Sequence, residues 1–244
     1  MKLIILLSGF ATLALAAHLP SEIQICKRSD SNFKACLVSS ADKALTVLAN
    51  GYDELGFPSI EPIYLEETII IEPRPGPINL YQKYNNIVIK GATKGKVEDF
   101  GINLDDCVIW LNHTLKPLDS SASYVIKGQL LLLPVDSKGD ASLHIGEFYV
   151  FIKATCEKFV TGGKEYIRVV NVNLDITAKH TSFNYGPLFI GNPQLDQDIH
   201  KIIEDNPEDF FEVMRPSIEA MWGVGIMKLM NIVFTQIPLD ELFW

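Results

Sequence analysis

The chain lacks most of what would name a reaction. Across 244 residues there is no Gly-x-Ser-x-Gly nucleophile turn and no His-Glu-x-x-His metal helix. Its five histidines (His18, His113, His144, His180, His200) are scattered, and none stands four residues from another. The four cysteines do not follow the spacing of a zinc site. Residues 91–96 (GATKGK) fall one short of a phosphate loop and are followed by Val97 instead of Ser or Thr, so they read as a hairpin turn. Residues 136–140 (DSKGD) are too short for a calcium loop and read as another turn. Asp105 and Asp106 form a carboxylate pair in a turn, where solvated acids are ordinary. No catalytic residue, metal or cofactor is therefore assigned, and the chain is read as a non-enzyme.

Basic charge is also scarce. Twenty-one Lys and Arg face 30 Asp and Glu, a net charge of −9. Nucleic acids and anionic membranes both need cationic patches, so neither is expected as a partner. No like-charge block or low-complexity tract occurs, and no period of 20 to 50 residues repeats, which excludes solenoids and propellers.

What is present begins with a targeting segment. In residues 1–17 Lys2 supplies the positive start, 3–15 the apolar region, and Ala14-Leu15-Ala16 a small-residue cleavage pattern. The run is short for a membrane anchor, so a cleaved signal peptide and a secreted, extracellular domain spanning 18–244 are expected. Without Lys2, 20 basic side chains face 30 acidic ones, a net charge of −10. In an oxidising compartment four cysteines are expected to be bridged, with three pairings open. The ten-residue separation of Cys26 and Cys36 suits a local clip; Cys107 and Cys156 lie in strand-like runs, which suits a bridge between strands. Asn112-His113-Thr114 is a glycosylation sequon, which places Asn112 at the solvent.

Leu37, Ala41, Ala44, Leu45 and Leu48 recur at helical spacing, predicting a helix over 32–50 stopped by Gly51. From 63 to 183 the pattern becomes β: runs at 68–71, 87–89, 97–104, 108–115, 124–133, 142–155 and 166–177, separated by Gly-, Pro- and Asp-rich turns. Val170, Val172, Leu174 and Ile176 alternate with polar residues, as in a strand with one buried face. Antiparallel hairpins with long strands follow.

The segment 206–237 then reads as one long helix, opened by Asn206 and Pro207 and interrupted only by Pro216. Its second half is apolar around most of its circumference, with Ser217, Lys228, Asn231 and Thr235 on one narrow stripe. Such a helix is enclosed or in a membrane, and mid-run Lys228 and Asn231 favour enclosure by protein over stable membrane insertion. A curved sheet rolled around it satisfies both elements: an α+β fold. Met214, Met221, Met227 and Met230 with Trp222 and Phe234 form an adaptable apolar set, and Gly223 and Gly225 reduce bulk beside it, which favours a lined cavity.

Leu19-Pro20, CKRSD from Cys26, Cys36, GYDELGFPSIEP at 51–62, GPLFIGN at 186–192, Leu195, Pro216 and PLDELF at 238–243 occur in an order that resembles the takeout and juvenile-hormone-binding family of secreted insect proteins. The resemblance spans the whole chain after residue 18. Departures are Glu61 before Pro62, Trp244 at the end, and the two mid-helix glycines. It implies a long C-terminal helix wrapped by a strongly curved antiparallel sheet, a bridge between Cys26 and Cys36, and a tunnel for an elongated apolar ligand. The implied function is carriage of a juvenile-hormone-like terpenoid, fatty acid, odorant or other lipid. Residues assigned to the lining are Met221, Trp222, Ile226, Met230, Val233 and Phe234 on the helix, and Tyr124, Tyr149 and Phe151 on strands. Tyr124, Tyr149 and Tyr166 are candidate donors to an ester, epoxide or alcohol. The alternative is an extracellular interaction protein of the same fold with no physiological small ligand, acting through a protein receptor. A third reading is an esterase acting on the same lipids.

Overall fold

The computed structural model describes residues 18–65, 69–73, 75–76, 78–130 and 133–244; the expected leader at 1–17 lies outside them. In chain order come α1 (Phe33–Val47), a single 3-10 turn (Asp53–Leu55), β1 (Ile63–Leu65), β2 (Ile69–Ile71), β3 (Ile78–Lys90), β4 (Gly95–Asn103), β5 (Val108–Leu115), β6 (Leu118–Leu130), β7 (Leu133–Thr161), β8 (Lys164–Tyr185), α2 (Pro193–Asp205), α3 (Pro207–Phe234) and α4 (Leu239–Leu242). The strands form one antiparallel sheet in the order β1, β3, β6, β7, β5, β4, with β2 beside β3 and β8 beside β7.

β7 sets the shape of this sheet. Its 29 residues pair with β6 through the first half and β5 through the second, while β8 covers the other side. At about 3.3 Å per residue its contour is roughly 95 Å. The 28 residues of α3 reach only about 42 Å. The strand must therefore curl to keep its apolar face on the helix, and bulges supply the bends. One lies between Thr155 and Cys156, a second between Asn85 and Val88, a third between Val97 and Asp99. At a fourth place Gly146 faces His180, whose φ is +56°, and a Cβ on Gly146 would come within 3.0 Å of the His180 Cβ. Across it the inward set of β7 changes parity, from Val135 and Ile145 to Phe148, Val150, Ile152 and Ala154.

Three sequence expectations change here. Val170 is not on the buried face: it is the extra residue of the bulge opposite Thr155 and Cys156 and is exposed, while Val172, Leu174 and Ile176 keep the inward parity. Residues 136–140 are not a turn, because β7 runs through them. Gly139 pairs with Tyr124, and a Cβ there would meet the Tyr124 hydroxyl at 3.1 Å, so the glycine makes room for a ring. Residues 91–96 do turn the chain, but from β3 to β4, which are not partners. The Glu61 carboxylate fastens this turn by accepting from the N–H groups of Gly91 (2.9 Å) and Thr93 (3.2 Å).

Both expected helices form. α1 lies against β4, where Asp42 accepts from the Val97 N–H (3.0 Å) and Lys34 pairs with Asp99 (3.0 Å). Beyond it Gly51 adopts φ +88°, and a Cβ there would press on the Phe57 carbonyl at 2.9 Å. α3 bends by 55° at Pro216, which has no N–H to donate and crowds the preceding turn. No single helix among the described residues is long and apolar enough to cross a membrane. The sheet wraps the inner side of α3, while Val213 and Val224 remain 49% and 51% exposed on the other.

Cys26 is bridged to Cys36 and Cys107 to Cys156, a local clip and a bridge between neighbouring chain segments. The first also ties the ends together, since Trp244 donates to the Cys26 carbonyl (3.3 Å) and Arg28 to that of Trp244 (2.6 Å). Three apolar clusters follow one another along the molecule. The first surrounds α1, α4 and the end of α3; the second holds Phe148, Phe211 and Trp222; the third joins α2 to Tyr124, Leu188 and Phe189.

Candidate ligand-binding cavity

Between the second and third clusters the packing opens. On the inward face β6 and β7 bring Ala122 opposite Ala141, where a core would ordinarily place branched side chains, while the next pair, Ser121 and Ser142, is exposed. The result is a cavity of about 120 Å³. Ile71, Ile87, Ile89, Leu118 and Leu143 wall it from the sheet, Phe183 and Tyr185 from β8, and Met214, Ile218, Met221 and Trp222 from α3. The Trp222 ring is held by Phe148, 5.2 Å between centroids.

Two residues of the wall, Tyr84 and Tyr185, carry hydroxyls that meet beside buried Gln82. Buried Gln82 accepts from the Tyr84 hydroxyl (2.7 Å) and directs its amide at the Met214 sulfur (3.9 Å). Tyr84 Oη lies 3.4 Å from Tyr185 Oη. With its one proton on Gln82, Tyr84 can only accept from Tyr185. Burial pushes the Tyr84 phenol well above its ordinary range, and the Tyr185 hydroxyl beside it adds to the shift. Burial likewise raises Tyr185. Both are neutral hydroxyls at any physiological pH, available for hydrogen bonding but not as bases.

Of the residues assigned to a lining from sequence, Met221 and Trp222 lie on this cavity. Ile226, one turn on, packs in the second cluster without lining it; Met230, Val233 and Phe234 pack in the first cluster. Tyr124 is buried in the third, its hydroxyl near Ser137 (3.3 Å) and donating to the Pro187 carbonyl (3.3 Å). Tyr149 and Phe151 lie on the outer face of the sheet. Tyr149 donates to Glu147 (2.7 Å) under the Lys179 ammonium, and Phe151 is 39% exposed. Tyr166 stacks on Phe159 (5.5 Å) far along β8. The run from Phe148 to Ile152 is apolar on both parities, so alternation alone could not choose its inward set.

The mid-helix glycines do not line the cavity either. Gly223 sits against β8, where a Cβ would be 3.1 Å from the Val172 carbonyl, and Gly225 faces open space. Tyr84, Tyr185, Phe183 and Ile218 join the lining without a sequence expectation, and Met214 joins it from the adaptable methionine set. The readable signal was the run of small residues at 120–123 (SSAS) matched by Ala141 and Ser142, unusual inside two long strands.

A family model described as haemolymph juvenile hormone binding protein matches residues 4–244. The circadian clock-controlled protein daywake of Drosophila melanogaster is 24% identical over 235 residues, covering 92% of this chain and 88% of its own length. Daywake of Drosophila yakuba matches to the same extent. Among solved structures, Takeout 1 of Epiphyas postvittana superposes with a TM-score of 0.73 at 18% identity, covering 91% of this chain and 99% of that one, which shows the fold. With the order of motifs, the curved sheet on α3 and the extent of the family match in agreement, the chain belongs to the haemolymph juvenile hormone binding protein family.

Proposed function

We propose that the protein is a secreted, non-catalytic carrier that holds a small elongated hydrophobic ligand between α3 and the inner face of the sheet. The observation that carries this reading is the apolar cavity at Trp222, with the hydroxyl-bearing Tyr84 and Tyr185 in its wall. Hydrocarbon walls take apolar surface out of water, and the Tyr185 proton, held only loosely by Tyr84 across 3.4 Å, can turn to one oxygen of an ester, epoxide or alcohol. Juvenile-hormone-like terpenoids and fatty acids share that chemistry. A ligand burying about 400 Å² would gain roughly 10 kcal/mol; after association costs of about 4 kcal/mol the affinity is on the order of tens of micromolar before polar contacts.

The cavity of about 120 Å³ is below the roughly 300 Å³ at which drug-sized pockets begin. A terpenoid must therefore enlarge it. Met214 and Met221 are the flexible members of its wall, and α3 is already bent beside them at Pro216. The same volume favours the second reading, an interaction protein of this fold with no physiological ligand. Organic extraction of protein secreted from insect cells, followed by mass spectrometry, separates the two. A carrier yields a stoichiometric lipid and displaces a bound fluorescent fatty acid when offered juvenile hormone. A chain that is empty and takes up neither probe is not a carrier.

A further inference from the structure

The outer face of the sheet carries an aromatic group around the sequon. Asn112 lies mid-strand on β5, opposite Asp99 on β4 and Phe151 on β7. Side chains paired this way stand about 5 Å apart on one face. Two neighbouring aromatics have partners: Trp110 lies over Gly101 with its indole N–H donating to Asp99 (3.2 Å), and Lys179 covers Tyr149. Phe151 has no ring or cation partner among the described residues and stays 39% exposed, bordered by Lys153, Asp175 and Asn112. The Asn112 side chain makes no hydrogen bond to any described residue.

We infer that Asn112 carries an N-linked glycan whose first N-acetylglucosamine lies on the ring of Phe151. The C–H face of a pyranose is weakly positive and matches the electron-rich face of a phenyl ring. The glycan is added to the extended chain before the sheet closes, so a mid-strand position is no barrier. Once folded, the cross-strand register leaves the first sugar beside Phe151, with the rest of the glycan shielding this face from association with other sheets.

The inference rests on secretion, one part of the proposed function, and is independent of the ligand. The full chain is expressed in insect cells with its own leader and collected from the medium, where the mass shows one glycan at Asn112. Thr114→Val removes the sequon but keeps Asn112 and a β-branched strand residue. It lowers Tm by about 2–4 °C, the shift of one ordinary contact in a chain of this size. In a Phe151→Thr background the same substitution leaves Tm unchanged. Secreted protein without a glycan at Asn112 overturns the inference while leaving the carrier reading intact. An equal fall in both backgrounds overturns the packing on Phe151. Retention of the chain in the cytoplasm overturns both the inference and secretion.

Discussion

Asn231 pairs with the backbone of Val169 as a neighbouring strand would: its amide donates to the Val169 carbonyl (2.9 Å) and its side-chain oxygen accepts from the Val169 N–H (2.8 Å). β8 has a strand partner on one side only, and α3 occupies the other. Glu219 accepts from the Ile176 N–H (3.2 Å), and Glu208 from that of Thr181 (3.3 Å). Helix numbers rise as strand numbers fall, so α3 runs antiparallel to β8. From 208 to 231 the helix advances about 35 Å, and from 181 to 169 the strand advances about 40 Å. This agreement lets one helix bond the strand edge at three places along its length, Val169, Ile176 and Thr181. Open edges invite pairing with other chains, so α3 protects the sheet as well as walling the cavity.

Asn231→Leu removes both hydrogen bonds and leaves two backbone groups of Val169 facing an alkyl chain. The expected loss is about 2–4 kcal/mol, from one unsatisfied donor and one unsatisfied acceptor. Urea unfolding reads it as a lower midpoint at unchanged slope, and the Val169 amide exchanges faster with solvent. An unchanged midpoint would show that α3 stays in place through apolar packing alone.

The sequence made the architecture legible and the site only in part. Long β-branched runs, one overly apolar helix and the resemblance sufficed for a curved sheet on a helix. Asn231 was legible as an intrusion in an apolar run, but its purpose was not, since a strand edge is a property of pairing order. Tyr149 and Phe151 were assigned inward because no local pattern marks the parity change at Gly146. The GPLFIGN stretch, the densest part of the resemblance, turns out to hold backbone: Asp196 accepts from the N–H groups of Leu188 (2.7 Å) and Phe189 (2.9 Å), and Asn192 caps α2 through Leu195 (3.2 Å). A shared motif marked a joint between β8 and α2.

That joint titrates. Burial pulls the His200 imidazole down, but hydrogen bonds to the carbonyls of Asp196 (2.7 Å) and Tyr185 (3.0 Å), with the Asp196 charge, outweigh it and leave the group above its ordinary value. Only the protonated ring can donate to both carbonyls. A raised folded value means stabilisation that is complete below the unfolded value of about 6.5 and is lost as pH rises through the folded one. Buried His113 has the opposite sign, lowered by burial, and contributes above about 6.5. The test is therefore a difference: the urea midpoint of the wild type exceeds that of His200→Gln at pH 5.5, and the gap narrows towards pH 8. A gap independent of pH would sink the protonated joint.

Tyr185→Phe separates orientation from burial. The variant keeps the ring and its edge contact with Tyr124 (5.5 Å between centroids) and loses the hydroxyl of this wall residue. An oxygenated ligand should bind about 10-fold more weakly, the worth of one buried hydrogen bond. A hydrocarbon of similar shape should bind as before. Equal loss for both ligands would mean that the hydroxyl supports the wall and does not touch the cargo.

Filling the cavity tests whether α3 is pocket or packing. Ala122→Leu adds three carbons to the hollow opposite Ala141, against Trp222 and Met221. Where space is already present, added methylenes bury apolar surface, so Tm should hold or rise by a few degrees. Fluorescent fatty acid binding should fall at least 10-fold, and the response of Trp222 fluorescence to lipid should disappear. Trp222→Ala, which enlarges the same space, should destabilise the chain by about 3–5 kcal/mol yet still admit the probe. If Ala122→Leu binds lipid as the wild type does, the ligand lies elsewhere, and the hollow between β6, β7 and α3 is a packing defect.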